Sequence, residues 1–300
     1  MNKAKNTTKN NYKSNRNTKK NSKSKKINNS DQWITALKKT WTVAIISLIG
    51  FTTLFSFIPK QSAESLTAKY ALVYGDSLGY EAAGAIAAQF ATKSGWTYQL
   101  HSQVGYAVCD WIDELQNDVA INAPQVVTLE TAGNALRNCM SDRNGGSAPL
   151  IGSIEWANLY RQDLNEFFSI ATNAGSKVVF VKPPAMYAGW YNTAINQLIS
   201  IATEEAGKFH GISISGSPRS AVTLSGKFTF EKNCLANETA ALGCGTDGKI
   251  TIRSEDGLHF CPTGLNSGLP SGCSVYSSGA SRWGKALTNT TVNPPAPVLP

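Results

Sequence analysis

The sequence predicts an α/β protein, a three-layer sandwich of helices on both faces of a parallel sheet, preceded by one transmembrane helix. Three observations predict it. From residue 70 to 288, short apolar runs of strand length alternate with longer amphipathic stretches, the pattern of parallel strands joined by helical crossovers. Upstream, residues 40–59 form a 20-residue run without a charge. All six cysteines (Cys109, Cys139, Cys234, Cys244, Cys261 and Cys273) follow that run. An even number beyond a membrane segment suggests disulfides in an oxidising compartment.

The first 40 residues are rich in Lys and Asn, with twelve Lys/Arg against a single acid, Asp31. They carry a net charge of +11 while the whole chain is +8, so residues 41–300 are about −3. The basic isoelectric point therefore describes the tail and not the folded part. Such a run resembles a nucleic-acid-binding arm. The uncharged span behind it makes a topology and anionic-lipid signal the better account, and no nucleic acid is expected as a partner. Twenty residues cross a hydrocarbon core about 30 Å thick, and Trp33 and Trp41 lie at the basic end, where interfacial aromatics belong. The positive-inside bias makes residues 1–39 a basic, disordered cytoplasmic tail, 40–59 a single-pass signal-anchor in the cell membrane, and everything after Lys60 extracytoplasmic. The alternatives are secretion after cleavage near Gln61-Ser62-Ala63, and a core helix, which the polarity on both sides disfavours. Residues 60–69 are a linker, 70–288 one domain, and 289–300 a proline-rich tail.

Within the domain, residues 70–74 read as a buried strand stopped at Gly75, and 79–94 as an alanine-rich helix. A strand follows at 96–101, a helix at 107–117, and a short apolar strand at 125–130. Residues 154–174 form a long amphipathic helix with Trp156, Leu159, Leu164, Phe167, Phe168 and Ile170 on its apolar face. Another buried strand at 177–181 is closed by Pro183-Pro184. A helix at 191–207, a strand at 212–214 and a helix at 275–287 complete the pattern. Ligands of such folds bind at the carboxyl ends of the strands.

Ser77 lies at the first of those ends, in Val73-Tyr74-Gly75-Asp76-Ser77-Leu78-Gly79. A serine held where a buried strand gives way to a helix can face a cleft with helix amides behind it. A helix-capping Ser or Asp is the plainer explanation. Of the three histidines, His259 stands in Asp256-Gly257-Leu258-His259. An Asp three residues before a His can accept from one ring nitrogen and leave the other free to take a serine proton. Taken alone, that spacing is a loop turn. His101 ends a strand and His210 adjoins Gly211, both consistent with surface or satisfied histidines. Gly105 follows the second strand, where a backbone N–H can approach a ligand. Asn134 follows the third, where a side-chain amide can meet a developing oxyanion. Each is an ordinary loop residue by itself; their force is joint, in their order and in their common edge of the sheet.

In that order the chain resembles the SGNH (GDSL-type) hydrolases, whose fold is SGNH/flavodoxin-like. Gly75-Asp76-Ser77-Leu78 matches the first block, Gly105 looks like the second-block glycine, and Asp256-Gly257-Leu258-His259 matches the last. Asn134 is similar to the third-block asparagine, although it follows Ala132-Gly133 and has no Asp after it. The resemblance covers roughly residues 68–288. The stretches 105–111 and 261–280 look like secreted actinobacterial-type members, some of which are attached to membrane acyltransferases that decorate surface polysaccharides. The resemblance implies a serine esterase or O-acyltransferase with Ser77 as nucleophile, His259 as base and Asp256 as its partner. Ser77, Gly105 and Asn134 would form the oxyanion hole. It implies no metal or organic cofactor, and an ester substrate, with acylated cell-envelope carbohydrate expected. Trp111, Trp156, Tyr187, Trp190 and Tyr191 are candidates to stack on sugar rings, core packing being their plainer role. The rivals are a lipase-like or small-ester hydrolase, and a catalytically silent envelope-binding module.

Six cysteines allow 15 pairings. A bridge from Cys109 to Cys139 would tie the loops after Gly105 and Asn134 together, while Cys234 with Cys244 and Cys261 with Cys273 would close two short loops. Metal binding is the rival, without a C-x-x-C pair and with three histidines to help.

Overall fold

The computed structural model describes residues 68–262 and 272–299. The basic tail, the apolar span at 40–59 and most of the linker lie outside the described residues. Among the described residues no helix is long and apolar enough to cross a membrane.

The chain runs β1 (Lys69–Gly75), α1 (Ser77–Glu81), α2 (Ala83–Phe90), β2 (Trp96–Ser102), a 3-10 turn (Val108–Trp111) leading into α3 (Ile112–Asn122), and β3 (Val126–Glu130). It continues through α4 (Asn138–Arg143), α5 (Ile154–Asn173), β4 (Lys177–Val181), α6 (Gly189–Ala206), β5 (Ile212–Ser215) and α7 (Ser217–Ala221). Two short strands, β6 (Glu231–Asn233) and β7 (Lys249–Thr251), precede the last helix, α8 (Ser278–Val292).

Five strands form one parallel sheet in the order β2-β1-β3-β4-β5. All five residues of β3 and the last four of β4 are buried, which is why these strands read as continuous apolar runs. Helix α5 packs on α3 and α6, and α8 on α2 and α7, and the two groups supply the outer layers. Trp156, Phe167 and Phe168 of α5 and Trp283 of α8 are fully buried. The strand order reverses between β1 and β3, the switch point at which an open α/β sheet leaves a crevice. Ser77 follows one of these strands and Asn134 the other.

Several boundaries differ from those the sequence predicts. The helix expected at 79–94 begins at Ser77, because Asp76 caps it by accepting from the Leu78 amide (3.0 Å), and it breaks at Ala82 before α2. The helix expected at 107–117 starts as a 3-10 turn and runs to Asn122, where Ala123 turns left-handed (φ 43°). The last helix starts at 278, capped by the Ser277 hydroxyl, and extends to Val292, beyond the expected boundary at 288. The proline-rich tail then returns along β5. Ser213 Oγ donates to Pro295 O (2.7 Å) and the Val298 amide to Ile212 O (2.8 Å), so the tail covers an edge strand. Helices α4 and α7 and the antiparallel pair β6–β7 have no counterpart in the sequence pattern.

Cys109–Cys139, Cys234–Cys244 and Cys261–Cys273 are disulfides with Cα atoms 5.2–6.0 Å apart. The first joins the 3-10 turn after Gly105 to α4 after Asn134, so it braces the two loops beside the crevice.

Candidate active site

β1 delivers Ser77 to the crevice, and the turn around it is fastened almost entirely by its own amides. Asp76 N and Gly79 N donate to Glu130 Oε2 (3.3 and 3.1 Å), Leu78 N to Asp76 Oδ1 (3.0 Å) and Tyr80 N to Asp76 O (2.9 Å). The Ser77 amide has no protein acceptor among the described residues, which leaves it as the donor of this helix start available to a bound oxyanion.

His259 comes from the loop before α8, and its Nε2 is 3.0 Å from Ser77 Oγ. Its Nδ1 is 2.6 Å from Asp256 Oδ2. The other carboxylate oxygen of Asp256 accepts from the amides of Leu258 (2.7 Å) and His259 (3.0 Å), so the three-residue spacing closes on itself as an Asx-type turn. Burial would raise the Asp256 carboxyl, but its bonds from the His259 ring and the two amides outweigh that and hold it well below the ordinary carboxylate range. For His259, burial disfavours the charged ring. The bond with Asp256 and the negative charges of Glu81, Asp256 and Asp76 more than offset it and raise the ring above its ordinary value.

The loop that carries His259 is clamped from beneath by two buried charges the sequence does not flag. Glu81, at the end of α1, accepts from the amides of Phe260 (2.6 Å) and Cys261 (3.3 Å). Arg253, 1% exposed, donates through Nη2 to Leu258 O (2.6 Å) and Gly257 O (3.4 Å), with its guanidinium over the rings of Phe228 and Phe260. Burial pushes Arg253 down to about 10, which leaves it cationic at neutral pH.

Gly105 and Asn134 reach the same place from β2 and β3. Gly105 adopts φ 78°, a conformation that favours glycine, and its amide has no protein acceptor among the described residues. Asn134 Nδ2 donates both to Asp76 Oδ2 (3.0 Å) and to Tyr106 O (3.1 Å), so the asparagine bridges the nucleophile turn and the Gly105 loop. Both its hydrogens are engaged within the protein.

The other two histidines lie elsewhere. His101 is largely buried, stacks on Tyr74 (centroids 4.9 Å apart), and has Glu114 2.7 Å from Nδ1 and Asp118 2.8 Å from Nε2. His210 is exposed on a turn. Among the described residues three clusters bring potential metal ligands together. Two contain disulfide cysteines, and in the third each nitrogen of His101 already faces its own carboxylate.

The aromatic candidates separate cleanly. Trp111, Trp156 and Tyr191 are buried, whereas Tyr187 is 68% and Trp190 62% exposed. Tyr187 donates its amide to Gly257 O (3.0 Å) in the histidine loop and packs against Phe228 and Phe230. Trp190 stacks on Tyr191 (5.1 Å), whose hydroxyl donates to Ala132 O (3.1 Å) beside the asparagine loop. A separate cavity of about 910 Å³, bounded by α7, the β6–β7 pair and α8, includes none of Ser77, Asp256 or His259 in its lining.

A family model described as "Protein of unknown function (DUF459)" matches residues 70–267 of the chain. No curated protein matches the sequence. Among solved structures, a lipase/acylhydrolase from Enterococcus faecalis is 17% identical over 74% of this chain and 94% of its own, with a TM-score of 0.43. A GDSL-like lipase from Bacteroides thetaiotaomicron is 13% identical over 75% of this chain and 88% of its own, at 0.44. An acetylxylan esterase from Geobacillus stearothermophilus, a catalytic mutant, is 12% identical over 52% of this chain and 78% of its own, at 0.38.

Proposed function

The chain belongs to the DUF459 family, and we propose that it is a serine esterase or O-acyltransferase of SGNH type, acting on ester-linked acyl groups of cell-envelope carbohydrate. The observation that carries the chemistry is the continuous relay of Ser77 Oγ, His259 Nε2, His259 Nδ1 and Asp256 Oδ2, linked at 3.0 and 2.6 Å across 182 residues of sequence. Ser77 Oγ attacks the ester carbonyl and passes its proton to His259 Nε2, while Asp256 stabilises the imidazolium. The carbonyl oxygen becomes an oxyanion facing the amides of Ser77 and Gly105. The Asn134 hydrogen now on Tyr106 O is the one for which the oxyanion competes, since Asp76 keeps the other. Collapse breaks the ester C–O bond, and the leaving alkoxide takes the proton from His259. Water or an acceptor hydroxyl then attacks the acyl-enzyme, with His259 again as base.

A carbohydrate substrate is supported by the two exposed aromatics. Tyr187 and Trp190 remain open to solvent although the first is tied by its amide to the histidine loop and the second stacks on Tyr191, which bonds the asparagine loop, and exposed rings placed in this way are platforms for stacking. The uncharged span at 40–59, its basic flank and the disulfides support membrane anchoring with the domain outside the cytoplasm. Acetylated oligosaccharides compared with long-chain acyl esters test the substrate class. Turnover should favour the acetylated sugar, and Trp190→Ala should raise KM for it while leaving kcat for a small acetyl ester unchanged. Preference for long-chain esters, unaffected by Trp190→Ala, would make the protein lipase-like instead.

A further inference from the structure

Glu130 closes β3, and its carboxyl lies under the turn that carries Ser77. Its Oε2 accepts from the amides of Asp76 and Gly79. This contact accounts for two glycines of the nucleophile motif, because a Cβ on Gly75 would stand 2.9 Å from that oxygen and one on Gly79 3.1 Å. The spacing of Gly75-Asp76-Ser77-Leu78-Gly79 is thus fitted to a residue more than 50 positions later.

Asp76 is buried beside it and does more than cap α1. Its Oδ2 accepts from the Ala132 amide (2.6 Å) and from Asn134 Nδ2 (3.0 Å). Both carboxyls are 1% exposed, Glu130 Oε2 lies 3.3 Å from the Asp76 amide nitrogen, and no Lys or Arg among the described residues pairs with either. The titratable groups facing them are His259 from its loop, Tyr160 from α5 and Tyr191 from α6. Two neighbouring buried carboxylates without a cation do not both stay ionised in such a place. Glu130 Oε1 is buried without a donor to accept from, which makes it the oxygen suited to hold a proton. Burial first, and then the charge of Asp76, push the Glu130 carboxyl well above the ordinary range, against the smaller opposing effect of its two amide bonds.

We propose that Glu130 is a positioning residue that works as the neutral acid: it donates its proton to Asp76, and Asp76 in turn holds the Asn134 amide and the Ser77 turn in register. This goes a step beyond the acyl-transfer reading and rests on it for its kinetic consequence. When the pair loses its shared proton at alkaline pH, a second negative charge appears beneath the oxyanion site, and kcat falls with little change in KM.

Glu130→Gln tests this, because a glutamine can accept from both amides and donate to Asp76 but cannot titrate. The expected result is a kcat near that of the native protein at neutral pH, without the alkaline decline that the native protein shows. Glu130→Ala should lose about 100-fold in kcat, the scale of a displaced oxyanion donor; if it fails to fold, the glutamine variant still decides. Infrared spectroscopy of the full chain gives a readout independent of turnover. A protonated-carboxyl band at neutral pH should be present in the native protein and absent from Glu130→Gln. A missing band in the native protein, or the same alkaline decline in Glu130→Gln, would overturn the proposal. If no ester is turned over by any form, the acyl-transfer reading fails, while the infrared band still decides where the proton resides.

Discussion

Asp256 shows how much a single loop residue is asked to do. One carboxylate oxygen caps its own turn through the amides of Leu258 and His259, and the other holds the imidazole. Because its partners raise His259 above the ordinary histidine value, kcat/KM should fall as pH drops through an inflection above about 6.5. Below it the base is already protonated. Asp256→Asn keeps the turn but removes the negative partner and favours the wrong tautomer. Rate should drop by about 10⁴, as the corresponding change does in serine proteases, and the residual activity should have its acid inflection at lower pH. A pH–rate profile checks both, and an unmoved inflection would mean that Asp256 does not set the base. Ser77, Asp256 and His259 were legible because short motifs carry them. Glu130 and Glu81 were not, since each acts on a segment distant in sequence, and Arg253, which grips carbonyls only four and five residues on, belongs to no motif that marks it. For Glu130 one signal existed: an acid closing the otherwise apolar run 125–130, where a buried strand has no ordinary use for a charge.

At the scale of elements, the long helices and buried strands were readable from their period, and the short pieces were not. Strands β6 and β7 have three residues each, and α4 and α7 six and five, too few for periodicity to register. The β6–β7 segment is nevertheless firmly held. Cys234–Cys244 closes it, and Arg282 of α8, 7% exposed, is bound to Glu238, 5% exposed, and to Asn233 O (2.8 Å). Glu238→Ala would leave a buried guanidinium without its counter-charge, a loss of about 3–5 kcal/mol. Urea unfolding should show the midpoint falling accordingly, and an unchanged midpoint would mean that the ion pair does not secure this segment to α8. The proline-rich tail taught a similar lesson. Its composition reads as a loose end, while its backbone pairs with β5 through groups that composition does not reveal.

For the molecule as a whole, alternation of strand and helix was enough to foresee a parallel sheet between two helical layers, but not its strand order. Order depends on which crossovers go left and right of β1, and nothing in the hydrophobic pattern of β2 or β3 records that. The order decides the site all the same. With β1 between β2 and β3, the loops carrying Ser77, Gly105 and Asn134 open on one crevice, and α8 closes it by placing the His259 loop across the top. The central claim is that this crevice makes Ser77 a nucleophile. Covalent labelling with a fluorophosphonate, followed by peptide mass spectrometry, tests it most directly. The native protein should be labelled once, on Ser77, and labelling should vanish in Ser77→Ala and fall sharply in His259→Ala, with both variants folded. A folded native protein that takes no label, or a label that persists in Ser77→Ala, would contradict it.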